Sequence, residues 1–332
     1  MKFKFKPNYR KFYSKLLKFT ILFILVSIIT SCIEDTLKNN NFPNANTTLR
    51  RNDSSSLHVF VLSDWGFSGS SNQRKVANEM SLTSKLVGLN FILTCGDNFQ
   101  LAGVDSVNDP LWKINYEDVY NDSSLLVPWY PALGNHDCMG NPDAQVEYSK
   151  TSKYWKMPAR YYSFVEKVDS KDSVRFIVLD TQGLIQEYQS LTDKNDYETI
   201  AQYRWLKEIL SAAKEKWIIV TGHHPVFSAS IYHGDTNEMK EIIKPLFDQY
   251  KVDFYICGHD HDFEHAREMG EYTDYIVTGT GGDPRYIGSN KRTIYSLSTL
   301  GFTYLSISGN YVKLNFITAD GKIGYRYTKN KE

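Results

Sequence analysis

The 332-residue chain predicts an α/β protein, a sandwich of two β-sheets with helices outside. Three observations carry the prediction. Short apolar runs suited to strands alternate with segments of helical spacing through the middle of the chain, and the last stretch, from residue 275 on, holds strand-like runs alone. Five short polar blocks each follow directly on an apolar run, and in such sheets functional loops gather at the carboxyl ends of strands.

The elements follow in order. Residues 1–31 carry seven basic side chains (Lys2, Lys4, Lys6, Arg10, Lys11, Lys15 and Lys18), no acid, and an apolar run over 19–29. That run falls short of the ~20 apolar residues that span a bilayer, and its plan is that of a secretory signal. Ile29-Thr30-Ser31-Cys32 also resembles a bacterial lipobox, which would make Cys32 a lipidated first residue and the protein an exported, membrane-anchored lipoprotein of a bacterial envelope. An ordinary signal or an uncleaved anchor is the alternative. Residues 32–55 are polar, aperiodic and rich in Asn, Ser and Thr, which reads as a flexible tether. The folded domain is expected over 56–330. Strands are expected at 57–63, 90–94, 129–133, 161–165, 173–179, 217–221, 254–257, 275–278, 302–308 and 312–318. Helices are expected at 72–87, 202–214 and 237–250, with a short one within 112–120. The 202–214 segment places Trp205, Leu206, Ile209 and Leu210 on one face.

The blocks carry the chemistry. They are Asp64-Trp65-Gly66, Gly96-Asp97-Asn98, Gly134-Asn135-His136-Asp137, Gly222-His223-His224-Pro225 and Gly258-His259-Asp260-His261. Any one alone is more often a turn, a cap or an ordinary loop than a ligand. Five in series behind apolar strands form a donor set for two metal ions. A carboxylate can bridge two ions ~3.5–4 Å apart, and Asp97 is the natural bridge. Asp64 would serve one ion, Asn135 the other, and His223, His259 and His261 would complete both sets. Hydrolysis of a phosphate ester is the reaction such a pair performs.

Bulk composition agrees. Of the 38 Lys and Arg, seven lie in residues 1–31, leaving 31 against 38 Asp and Glu, a net of −7. A body of that sign has no general attraction for nucleic acid, and none is expected as a partner. Cys95, Cys138 and Cys257 are odd in number and lack C-x-x-C spacing, so they read as small buried residues and not as disulfides or ligands.

The order of the blocks resembles that of the calcineurin-like metallophosphoesterases. Residues 91–104 (FILTCGDNFQLAGV), 116–134 (YEDVYNDSSLLVPWYPALG), 222–228 (GHHPVFS), 174–181 and 257–262 (CGHDHD) resemble the tartrate-resistant branch of the purple acid phosphatases, and the resemblance covers residues 57–320. It implies a four-layer αββα sandwich of two mixed β-sheets flanked by helices. It implies two metal ions, iron plus a divalent metal such as Fe, Zn or Mn, with Asp64, Asp97 and His261 on the first and Asp97, Asn135, His223 and His259 on the second. It places His136 beside the substrate phosphate, and His233, allowing one inserted residue, near the leaving group. For His233 a solvated loop residue is the alternative. His58, His224 and His265 match no role and read as structural or surface residues.

One position departs from the pattern. The branch carries a metal-binding Tyr three residues after the bridging Asp, and here that residue is Gln100. A neutral amide stabilises a trivalent ion less than a phenolate does, so weaker ferric preference is expected. The resemblance implies hydrolysis of a small phosphomonoester by a monomeric enzyme through metal-activated water. A phosphodiesterase or nucleotidase of the same fold is the alternative. A non-catalytic surface lipoprotein is a third reading.

Overall fold

The computed structural model describes residues 42–49 and 56–331. The expected signal, Cys32 and residues 33–41 and 50–55 of the expected tether lie outside the described residues. Residues 43–49 correct the tether expectation. A short helix, α1 (Ala45–Thr48), sits there. Ala45 N donates to Gly321 O at 2.8 Å, Ile323 N donates to Pro43 O at 2.9 Å, and Ala45 is buried. The polar composition suggested solvation, but these backbone groups are satisfied by a turn near the far end of the chain.

The first strand, β1 (Leu57–Leu62), precedes α2 (Ser71–Val87), β2 (Phe91–Cys95) and β3 (Trp129–Ala132). Helix α2 starts where Ser70 accepts from Gln73 N and stops where Gly88 turns left-handed at φ 74°. Its Val76, Met80, Ser84 and Val87 line one buried face at helical spacing. The chain continues through α3 (Pro142–Tyr148), β4 (Tyr162–Lys167), β5 (Ser173–Val178), α4 (Thr181–Ser190), α5 (Ala201–Ala212), β6 (Trp217–Thr221), α6 (Lys244–Tyr250) and β7 (Phe254–Cys257). It closes with β8 (Phe263–Ala266), β9 (Asp274–Thr278), β10 (Thr293–Leu297), β11 (Gly301–Ile307), β12 (Tyr311–Thr318) and β13 (Ile323–Asn330). The helices expected at 112–120 and 237–250 contain widened i→i+5 turns, at Trp112–Glu117 and Met239–Ile243.

The strands form a six-stranded sheet, β13-β12-β11-β1-β2-β3, and a seven-stranded one, β10-β8-β9-β7-β6-β5-β4. Both are mixed: β1, β2 and β3 run parallel, as do β5, β6, β7 and β9, while the flanking pairs are antiparallel. Period-two alternation sends Val59 and Val61 toward the other sheet, to meet Phe176, Ile219, Ile256 and Ile276. Phe60 and Leu62 point the opposite way, toward Val76 and Met80 and an aromatic group built on Trp65, Trp112, Trp129 and Trp155. The second sheet packs Ile177, Val220 and Tyr255 against Leu184, Leu206, Leu210 and Phe247 of its helices. Removing a fully buried side chain such as Met80 costs ~2–5 kcal/mol. The expected four layers are therefore present. Cys95 and Cys257 are buried, Cys138 is half-buried, and all three are free thiols.

Candidate metal centre

All five blocks sit just past carboxyl ends of strands: β1 before Asp64, β2 before Asp97, β3 before Asn135, β6 before His223, and β7 before His259. The chain turns sharply at three of them. Asp64, Asp97 and His259 have φ of 54°, 49° and 71°, a left-handed backbone that costs a non-glycine residue about 1–3 kcal/mol. In each case the turn swings a donor into the space between the strand ends. The glycines in the blocks give room for this approach. A Cβ on Gly134 would lie 2.1 Å from Asp97 Oδ1, and one on Gly258 would lie 1.9 Å from Ser63 Oγ and 2.3 Å from Asp64 Oδ2.

The donors meet. One ligand atom each from Asp64, Asp97 and His223 lies within 4.8 Å of the other two, and all three residues are buried. His223 Nε2 is 2.9 Å from Asn135 Oδ1 and 3.4 Å from an oxygen of Asp97. His259 Nδ1 is 3.1 Å from the same Asn135 oxygen and 3.3 Å from His223 Nε2. His261 Nε2 is 3.3 Å from Asp64 Oδ1. All six expected ligands thus share one cluster. His136 stands at its open edge with its side chain 31% exposed, Nε2 4.0 Å from Asp97 Oδ2, and its backbone N donating to Asp97 Oδ1 at 3.0 Å. His233 is exposed, its ring 4.2 Å from that of His259 between centroids.

The arrangement fits a cation. His223 Nδ1 lies 2.9 Å from Cys95 O and His261 Nδ1 lies 2.7 Å from Asp283 O. A carbonyl only accepts, so both Nδ1 atoms carry a proton, which leaves Nε2 of the neutral ring to turn its lone pair inward. His223 Nε2 and Asn135 Oδ1 are therefore two acceptors 2.9 Å apart, with His259 Nδ1 beside both. Asp64 Oδ1 is buried with only His261 Nε2, at 3.3 Å, beside it. Buried polar atoms are normally paired, and a positive ion is what this set lacks.

Proton affinities carry the same signature. Burial, with the charges of Asp64 and Asp137, raises Asp97 well above the usual carboxylate range. Burial would raise Asp64 too, but the hydrogen bond and charge of His261, followed by His223, hold it below. Burial and the neighbouring His223 and His233 push His259 down to about 2. His261 loses proton affinity through burial and regains more from Asp64. Burial lowers His136. A bound cation would reverse the penalty on Asp97.

Two residues outside the expected set hold this geometry. Asn98 accepts from Thr94 Oγ1 (2.6 Å) and Trp65 Nε1 (3.0 Å) and donates to Ala132 O (2.8 Å), tying three strand ends together. Asp137 accepts from the backbone N of Gly134 (2.8 Å), Asn98 (3.1 Å) and Phe99 (3.0 Å) and from Gln145 Nε2 (2.9 Å). Both lie inside the blocks, and that membership was the available signal. Gln100 donates its backbone N to Gly66 O at 3.0 Å, and its buried Oε1 accepts no hydrogen bond. His224 and His265 are buried, and His58 Nδ1 lies 2.8 Å from Tyr304 Oη, so these three are part of the framework. Cavities of about 520 and 490 Å³ lie elsewhere, one lined by Tyr304, Lys313 and Arg326, the other by Tyr116, Tyr120 and Tyr148.

A two-sheet sandwich with carboxylates, an amide and imidazoles at its strand ends defines a class, and residues 57–263 match it: the chain belongs to the calcineurin-like phosphoesterases. Within that class it belongs with the tartrate-resistant and purple acid phosphatases. It is 34% identical to the tartrate-resistant acid phosphatase type 5 of Homo sapiens over 293 residues, 80% of this chain and 88% of that protein. It is 29% identical to purple acid phosphatase 7 of Arabidopsis thaliana over 298 residues, 85% of this chain and 89% of that one. Among solved structures it is similar to GAP50, described as the anchor in the inner membrane complex of Plasmodium, with a TM-score of 0.74 and 28% identity over 83% of this chain and 89% of that chain. Among the described residues no helix is long and apolar enough to cross a membrane.

Proposed function

We propose that this protein hydrolyses small phosphomonoesters at a centre of two metal ions, in the manner of an acid phosphatase. The observation that carries the reading is the convergence of buried Asp64, Asp97 and His223. When bound, the ions, iron plus a divalent Fe, Zn or Mn, would supply charge for the phosphate and an acidified water as nucleophile. Asp97 would be shared by the two ions, Asp64 and His261 would complete one set, and Asn135, His223 and His259 the other. His136 faces the open side, where it binds a phosphoryl oxygen and stabilises the charge that builds there. His233, beside His259 and exposed, gives a proton to the departing alkoxide. No covalent phosphoenzyme is needed. Gln100 is a neutral neighbour where the branch carries a tyrosine, so the first position is expected to favour divalent ions. An iron-loaded wild-type sample is expected to lack a strong visible charge-transfer band, and Gln100→Tyr is expected to gain one.

A second reading has two observations in its favour, the missing tyrosine and the likeness to GAP50. It is a non-catalytic anchoring protein. The retained set of six buried or half-buried donors argues against it, since anchoring needs none of them. Residues 1–32 would export the chain and fix it to a bacterial envelope through lipid on Cys32, and a monomer is sufficient because one chain supplies every donor. Metal analysis of purified protein, with turnover of an aryl phosphomonoester and an aryl phosphodiester on the same sample, tests the proposal. Near two equivalents of metal with preference for the monoester is the expected result. Metal-loaded protein that turns over neither would leave the anchoring reading.

A further inference from the structure

We infer that Arg285 and Tyr232 form a leaving-group subsite that selects phosphomonoesters bearing a second anionic group. The inference rests on the phosphatase reading above. Two loops about fifty residues apart build the subsite. The loop after β6 carries Tyr232 and His233, and the loop after β9 carries Asp283 and Arg285. A backbone bridge between Ser230 and Ile287 joins them, and Arg292 clamps Asp235 through two hydrogen bonds of 2.7 Å.

Arg285 is anchored to the metal centre at its backbone and open at its tip. Its N donates to His261 O at 2.7 Å. The guanidinium lies over the Tyr232 ring, 5.7 Å from the centroid. Its Nε is 3.7 Å from Asp283 Oδ2. No hydrogen bond engages either terminal nitrogen among the described residues, and the side chain is 33% exposed. Arg160, Arg175 and Arg292 behave differently: each is committed to a carboxylate by two hydrogen bonds. A half-buried guanidinium with a free fork is built to take an oxyanion.

The position decides which oxyanion. The reacting phosphoryl group belongs to the two ion positions and His136. Tyr232 adjoins His233, the residue assigned to the leaving group, so Arg285 faces the part of the substrate beyond the scissile oxygen. There the ring of Tyr232, 54% exposed, offers a face for an apolar or aromatic linker, and the guanidinium offers two N–H groups to a carboxylate or a second phosphate.

The test uses the metal-loaded full chain with four substrates: phenyl phosphate, 4-carbamoylphenyl phosphate, 4-carboxyphenyl phosphate and 1,4-phenylene bisphosphate. Wild type is expected to favour the charged substrates over the neutral carbamoyl analogue about fivefold in kcat/KM, mostly through KM, the worth of one partly exposed charge pair. Arg285→Gln is expected to bring that ratio near one, Arg285→Lys to keep part of it, and Tyr232→Leu to reduce it. A larger ratio for the bisphosphate identifies phosphate as the favoured second group, and a larger one for the carboxylate identifies carboxylate. A wild-type ratio of one, or an equal loss on charged and neutral substrates in Arg285→Gln, overturns the subsite while the phosphatase reading stands. No turnover of any of the four removes the phosphatase reading and the subsite together.

Discussion

Strand β7 carries buried acids at both ends, and the two ends treat them in opposite ways. Before its amino end, Asp253 accepts from Ile218 N (2.9 Å) and Tyr272 Oη (2.6 Å) and pairs with Lys331. Asp274, at the adjacent amino end of β9, is paired with His265 Nε2 (2.9 Å), Lys329 Nζ (3.0 Å) and Arg267 Nη1 (3.2 Å), and accepts from Tyr327 Oη (3.1 Å). These contacts fasten β13 of one sheet to β8 and β9 of the other. Past the carboxyl end of β7, the same residue types, Asp and His, face one another with lone pairs inward. A compensated network holds a fold together, whereas an uncompensated one is a place for something positive. Counting Asp and His would not have separated them.

The largest test of the contrast is Asp97→Asn. It is expected to lose bound metal by elemental analysis and phosphatase rate by on the order of 10³-fold. Retained metal and rate would erase the distinction between the two ends. Asp274→Asn should do the reverse, leaving metal per folded molecule unchanged while costing about 3–5 kcal/mol in denaturant titration, because Lys329 and Arg267 lose their counter-charge. His136→Ala sharpens the picture within the centre: metal stays and kcat falls about 10²-fold.

The smallest effect is the most diagnostic, since the two acids have opposite pH signatures. Burial raises Asp274, but its hydrogen bond to His265 and the charge of Lys329 outweigh this and set its folded value below the ordinary 3.8. Its contribution is therefore present above about pH 4 and lost as pH falls through the depressed folded value. Asp97 is raised by burial and by Asp64, so in metal-stripped protein its contribution is present below its unfolded value and lost as pH rises through the folded one. Metal-stripped Asp97→Asn is expected to be at least as stable as stripped wild type at pH 7.5. The gap should close as pH falls. Thermal unfolding from about pH 2 to pH 8 reads both trends, and a metal-stripped Asp97→Asn clearly less stable than wild type at pH 7.5 would contradict the charge deficit.

Much of this was legible in the residues because the relevant signals are local. The six donors stand next to one another in short blocks, each behind an apolar run, and β6 and β7 begin and end where the apolar runs do. Strands β8, β10 and β13 were not legible. Phe263-Glu264-His265-Ala266 has two adjacent polar residues that break both the apolar run and the alternation, and Glu264 and His265 are tolerable inside because Thr293, Ala229 and Tyr325 satisfy them from elsewhere. Helix α4 contains Gly183, which weakens its helical signal, while Asp180 caps it by accepting from Gly183 N at 2.9 Å. Residues 43–49 read as solvated and are instead held by the turn at Gly321.

By itself the sequence determined the identity of the donors, their order, the two-sheet class and the odd residue at Gln100, since these depend on side-chain chemistry and on periodicities of two and 3.6 along a continuous chain. Only the tertiary structure decided the left-handed turns at Asp64, Asp97 and His259, which ring nitrogens face inward, the framework roles of Asn98 and Asp137, and the meeting of Tyr232 with Arg285. Each of those depends on which atoms from distant segments compete for the same small volume, and contacts of that kind leave no periodic trace in a one-dimensional string.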